Sequence, residues 1–433
     1  MARGPKNLRL TFGARTLTHF GGLVLLHRFV QRIGLRTLLG QRVWFPQRNH
    51  RYSIGEALLA VLYPIILGLG RIETTQLLRR NGVFHYLTGL PTYPDPQTLR
   101  RFLLRFARDG LGTFERLHDD LRKRMLQQPG PRRSVLFDLD STVLTVYGRQ
   151  RGAEVGFNPH KRGRPSYLPL LCVEGRTHDC WAASYHPGNT HVTTVVVPLL
   201  RRALTALPTS RPSVRMRADS AFYDHALIEW LEAHKVSYAI VARLTKPLQA
   251  RVASARYTSA GKAVGVAAFY YQPQRWPGPR RFVVIRRPIP EEPSWQLSLF
   301  QMGRFLYQVI VTDLDLTPLH VWQFYNDRAE AELVIRELKE AYALGKIPSR
   351  QWAVNETYFQ LVVFAYNLLN WFRRLCLPPQ FQSWSLQTLR NQLLLVPAEL
   401  VRPQGVPTLK LPRSFPHQQV FWDTLRQIDQ LSL

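Results

Sequence analysis

Four acidic side chains stand out by their type and their neighbours. In residues 325–339, YNDRAEAELVIRELK, Asp327 has the position of a helix N-cap and Glu330 that of the third helical residue, a capping box that starts a helix. At about 100° per residue, Arg328 and Lys339 fall within roughly 40° of Glu332, while Glu337 lies about 140° away. One face of the expected helix therefore carries a carboxylate between two cations, as a site acting on an anion would. Ion pairs of the i,i+4 kind on a solvated face give the same pattern. SVLFDLDS, residues 134–141, reads as a strand, and its period of two points Asp138 and Asp140 to the same side. Two carboxylates closing an apolar strand suit catalysis, or a turn whose backbone Asp caps. Another strand pattern, SVRMRAD, ends at Asp219 ahead of a helix, a usual place for a ligand in an α/β sheet. Asp224 reads as that helix's N-cap. In HPGNTH, His186 and His191 could move protons or hold their loop by local hydrogen bonds.

The elements that must position these residues change character along the chain. From residue 17 to about 128 apolar residues recur at helical spacing, as in Ile54-Leu58-Leu62 and Leu99-Leu103-Phe106, which predicts a compact all-helical region. There Asp95 or Thr98 could cap a helix that presents Arg100, Arg101 and Arg105, either a helix-turn-helix reader of DNA or the basic surface of a bundle. The linker QQPGPRR ends this region, and strands follow. Arg149, Arg151, Lys161, Arg162 and Arg164 crowd a glycine-punctuated loop, where they would bind phosphates or solubilise the surface. Residues 245–316 alternate strands and turns, with Trp276 and Trp295 suited to stacking on a base or to a core. Residues 356–379 predict a long apolar helix, and the tail from 397 is rich in Pro and basic residues, with no readable function.

Composition narrows the partner. The 433 residues suffice for two or three domains and a sizeable core. With 58 Lys+Arg against 29 Asp+Glu, the formal charge is +29, which favours a polyanion such as nucleic acid over a small neutral ligand. No apolar run reaches the roughly 18 residues that span a bilayer, and residues 57–69 are interrupted by Pro64, so no membrane is expected. Cys172, Cys180 and Cys376 are odd in number and lack metal-ligand spacing, which suits a reducing cytoplasm.

Tyr325, Arg328, Glu332 and Lys339 spell Y-x(2)-R-x(3)-E-x(6)-K, which resembles the signature of bacterial DDE transposases of insertion-sequence family 1380 and its hairpin-forming relatives. Asp140-Ser141-Thr142 is similar to the D-S-T triplet of that family's first catalytic Asp, and residues 148–167 are similar to its G-x-Q-x-G-A, G-[YF]-N and G-x-x-S-Y elements. The resemblance covers about residues 134–379. It implies an α/β chain with an RNase H-like core carrying a β-rich insertion, after an all-helical N-terminal domain. The expected limits are 1–130 for the helical DNA-binding domain, 131–244 for the first part of the core and 245–316 for the insertion. The last part of the core takes 317–395 and a C-terminal tail 396–433. Asp140, Asp219 and Glu332 would be catalytic and would ligate two Mg²⁺ ions, with Mn²⁺ as a substitute, because hard cations prefer oxygen ligands. Asp138 would support them from a second shell. Tyr325, Arg328 and Lys339 would contact DNA phosphates, joined by Arg149, Lys161, Arg162, Arg164, Arg100 and Arg101. The implied partners are the double-stranded DNA of transposon ends and target and a second copy of the chain in a synaptic complex, on the bacterial nucleoid in the cytoplasm. A nuclease that cuts without joining and a domesticated, non-catalytic DNA-binding protein are the alternatives.

Overall fold

The computed structural model describes residues 12–13, 16–47, 51–128, 130–159, 161–210, 212–261, 264–289 and 300–432. Trp295 lies outside them, as does the side chain of Glu330. The organising element is one mixed sheet of twelve strands among the described residues. Its main strands are β1 (Ser134–Ser141), β2 (Pro165–Glu174), β3 (Cys180–Pro187), β4 (Ser213–Ala218), β5 (Val236–Val241), β6 (Gly265–Tyr271), β7 (Arg280–Pro288) and β8 (Phe305–Thr312). They lie side by side in the order β3-β2-β1-β4-β5-β8-β7-β6. β1, β2 and β3 form an antiparallel meander, β4 and β5 join it parallel to β1, and β8, β7 and β6 extend it as antiparallel neighbours. The strand-and-turn block is thus continuous with the rest, Ile310 of β8 standing opposite Val241 of β5. β2 is buried along almost its whole length, as a strand covered on both faces must be.

Helices α1 (Leu23–Arg32), α2 (Ile54–Ile66), α3 (Pro96–Asp109) and α4 (Leu111–Leu126) precede the sheet. α2 begins with a capping box between Ser53 and Glu56. α3 begins at Asp95, whose carboxylate accepts from the Gln97 and Thr98 amides at 2.9 Å, with Pro96 in the first turn, where a missing N–H costs nothing. Its Leu99, Phe102, Leu103 and Phe106 are buried. Further along are α5 (Val192–Thr205), α6 (His225–Ala233), α7 (Pro318–Asn326), α8 (Ala329–Glu340), α9 (Trp352–Cys376) and α10 (Gln418–Gln430).

The long apolar helix α9 is buried all round because both sides are covered. On one side it meets the N-terminal helices, with Phe364 5.0 Å from Phe114 and Phe372 5.7 Å from Phe29 between ring centroids. On the other it meets the sheet, where Gln360 donates to the Ala183 carbonyl at 3.0 Å and Asn367 to that of Cys180 at 2.9 Å. The N-terminal helices therefore share one core with α8, α9 and α10 instead of closing their own. The C-terminal residues are folded too. Ala398–Val401 pairs with both Leu17–Thr18 and Thr408–Lys410, and α10 packs on α1, where Arg32 donates to the Leu431 carbonyl at 2.6 Å. Among the described residues no helix is long and apolar enough to cross a membrane.

Candidate active site

Register brings the first two acidic residues together. β1 and β4 run parallel with Leu139 opposite Ala218, so the next residues along, Asp140 and Asp219, stand side by side at the carboxyl edge of the sheet. Asp219 is fixed there because its carboxylate accepts from the Ala221 amide at 2.9 Å and caps a short 3₁₀ turn. Asp140 accepts from the Ser141 amide at 2.8 Å. Glu332 arrives on α8, which packs against β1. Burial pushes the Asp140 carboxyl up to about 6, the charges of Asp219 and Glu332 push the same way, and the Arg328 guanidinium opposes them. The three carboxylates therefore share one electrostatic environment although Asp140 and Glu332 stand far apart along the chain.

Asp327 is not the helix N-cap expected of it, and the Glu330 half of the expected capping box lies outside the described side chains. Thr317 and Pro318 start α7, Thr317 accepting from the His320 amide, so the chain is already helical when it reaches Asp327. Asp327 closes α7 and Arg328 stands at the N-cap of α8 without a side-chain bond to the helix. The stripe geometry survives, since Arg328 and Glu332 approach to 3.6 Å. What differs is exposure. Arg328, expected to meet phosphate, has a side chain only 6% exposed, whereas Glu332 is 67% exposed. Arg328 donates to the Leu139 carbonyl at 2.9 Å and lies 3.3 Å from Asp140. Tyr325 is also buried, which with the nearby carboxylates pushes its hydroxyl up to about 12, against the pull of Arg328. Lys339 is exposed, and although desolvation lowers its ammonium, Asp140 lies close enough to raise it.

Asp138 lies one step below, fully buried and gripped by both arms of Arg217, at 2.6 Å and 2.7 Å. Burial pushes its carboxyl up while Arg217 pulls it down. The same guanidinium donates to the Phe324 carbonyl at 2.6 Å and lies over the Phe324 ring, so the pair ties the sheet to the end of α7. Breaking such a buried pair by removing one partner costs about 3–5 kcal/mol. Asp138 is thus linked through Arg217 to the end of α7. Arg217 is not singled out by the sequence patterns above, but its signal is present: a charge inside an apolar strand, two residues before Asp219.

Arg149, Arg151, Lys161, Arg162 and Arg164 are exposed on the loop leading into β2. Because β2 is antiparallel to β1, its start lies beyond the end of β1 that bears Asp140, so this loop rims the same edge. The loop lies close against the turn after β3, since a Cβ on Gly156 would come within 1.8 Å of the Gly188 carbonyl oxygen. Arg100 pairs with Glu73 and shares a cavity of about 400 Å³ with Arg71, Tyr147, Gln150 and Lys346. Arg101 faces another cleft, with Arg79, Arg105 and Tyr52. His186 bonds locally to Ser184 at 2.8 Å, and Asp224 caps α6. Trp276 packs against Tyr223, with ring centroids 5.4 Å apart. The three cysteines are buried and free.

Among the described residues no three His, Cys, Asp or Glu side chains converge closely enough to cage a metal ion. The donor set nevertheless fits a hard divalent cation. It is all carboxylate oxygen, the ligand type such an ion prefers, and a bound cation would offset both the burial that raises Asp140 and the smaller repulsion from Asp219 and Glu332.

The family model for the transposase DDE domain, group 1, matches residues 2–433. No curated protein matches the chain. Among solved structures, the chain is similar to a piggyBac transposase in a synaptic complex with hairpin DNA, at 11% identity and a TM-score of 0.48, over 88% of this chain and 82% of that one.

Proposed function

The chain belongs to the group 1 family of DDE transposases, and from that premise we propose that it is the transposase of an insertion sequence resembling insertion-sequence family 1380. It binds the terminal inverted repeats of its element, cleaves them and joins the freed 3′-hydroxyl ends to target DNA. What supports this reading most is that strand register sets Asp140 beside Asp219 at one sheet edge, where Arg328 reaches Asp140 at 3.3 Å and Glu332 at 3.6 Å. The antiparallel meander followed by two parallel strands, with one Asp on the first strand, another just past the end of the fourth and Glu on a later helix, supports an RNase H-like core. Residues 245–316 act as its β-rich insertion, and the N-terminal helices take part in binding DNA.

Asp140, Asp219 and Glu332 would hold two Mg²⁺ ions, for which Mn²⁺ would substitute. Bound there, the ions would stabilise charge on the attacking and leaving oxygens of an in-line displacement. The Ala221 amide orients the Asp219 carboxylate, and the Ser141 amide orients that of Asp140. Asp138 and Arg217 hold the end of α7, and with it the approach to α8. The exposed Lys339, Arg149, Lys161, Arg162 and Arg164 neutralise backbone phosphates and align the scissile bond with the carboxylates. Two copies of the chain bring the two ends together.

The test is to incubate the protein and Mg²⁺ with DNA carrying the nucleotides that flank its reading frame. End-joined products are expected. Cut but unjoined ends would favour a nuclease, and activity that persists in excess chelator would contradict the metal reading.

A further inference from the structure

Arg328 does not behave like a residue waiting for DNA. It is buried, and its guanidinium points inward: to the Leu139 carbonyl at 2.9 Å, to Asp140 at 3.3 Å and to Glu332 at 3.6 Å. Its Nε is buried without a partner. A buried guanidinium is stable only against anions, and adjacent carboxylates are stable only with a cation between them, so the two requirements meet in one place. Lys339, on the same stripe, is exposed and able to reach a phosphate.

We propose that Arg328 is the resident counter-cation of the carboxylate cluster: before DNA and metal arrive it holds Asp140 and Glu332 together, and a divalent cation must displace its guanidinium to bind them. The proposal rests on the reading of Asp140, Asp219 and Glu332 as cation ligands. Arg328 lies against one oxygen of each carboxylate, so a divalent ion bound by the same two carboxylates would face its positive charge at close range, and the two compete. Arg328 is then a positioning residue that keeps the unloaded site compact and weakens its hold on metal until the substrate is present.

The experiment measures Mn²⁺ binding to the full-length, DNA-free protein by the spin-resonance signal of free Mn²⁺. Arg328→Gln should bind Mn²⁺ more tightly than wild type, by about tenfold or more. That gain should vanish when Asp140→Asn is added. Arg328→Lys offers a point charge that cannot span two carboxylates as the planar fork does, so it should fall between wild type and Arg328→Gln, and it serves alone if the glutamine variant does not fold. Equal or weaker Mn²⁺ binding by a folded Arg328 variant, with binding still dependent on Asp140, overturns the proposal, because Arg328 would then be orienting the ligands for metal. Mn²⁺ binding indifferent to Asp140→Asn in either background overturns the metal reading itself, and the proposal with it.

Discussion

At the scale of single residues, helical winding puts Arg328, Glu332 and Lys339 on one face, and that much is legible because angular position depends only on spacing. Depth is not, because it depends on how closely α8 approaches β1. The result is a division of labour between two cations that look equivalent in sequence. Lys339 is exposed, and each phosphate left without its cation should flatten the dependence of log K on log salt by roughly 0.9 for duplex DNA. Lys339→Ala should therefore bind transposon-end DNA with a shallower salt slope, measured by titration across a series of salt concentrations. An unchanged slope would make Lys339 a bystander. The strand-end positions of Asp140 and Asp219 are legible because each follows a strand pattern, and register then sets them at one sheet edge. Arg217 escapes notice because an arginine in a strand reads as an edge residue until its partner across the sheet, Asp138, is known.

Among the elements, type is easier to read than partnership. The N-terminal helices, the strand at Asp140 and the long apolar helix α9 follow from periodicity and from caps such as Asp95 and Asp224. The start of α7 is hidden because an apparent capping box at Asp327 outweighs Thr317-Pro318, where the helix begins. The shared core cannot be read, since partners such as Phe114 with Phe364 and His118 with Asn367 are remote from each other in sequence. This has a consequence for dissection. A fragment of residues 1–130 lacks α9 and would expose Phe29, Phe114 and Leu121 to water, so it should aggregate or melt without a cooperative transition. Circular dichroism with thermal melting checks this. A cooperative transition would show that the helices close a core of their own.

For the whole molecule, the basic charge points to a polyanion, while the folding of residues 398–430 onto the N-terminal helices leaves no local sign in the sequence. The joint core also sets a pH limit. His118 is buried and accepts from Asn367 at 2.9 Å, and burial holds its imidazole well below 6.5; His27, beside Tyr63, is lowered to about 4 by burial and Arg36. Both are neutral when folded, so their contribution is fully present above 6.5 and is lost as the pH falls toward their folded values. The melting temperature should drop as the pH falls from about 6.5 to about 4.5, and His118→Asn, which has no proton to gain there, should lessen the drop. An equal drop in that variant would assign the acid sensitivity elsewhere. The most direct test of the central claim is to measure end cleavage and joining for Asp140→Asn, Asp219→Asn and Glu332→Gln, with end binding measured in parallel. All three should bind DNA about as wild type does and neither cut nor join it. Near-normal joining by any one of them would remove that residue from the catalytic set.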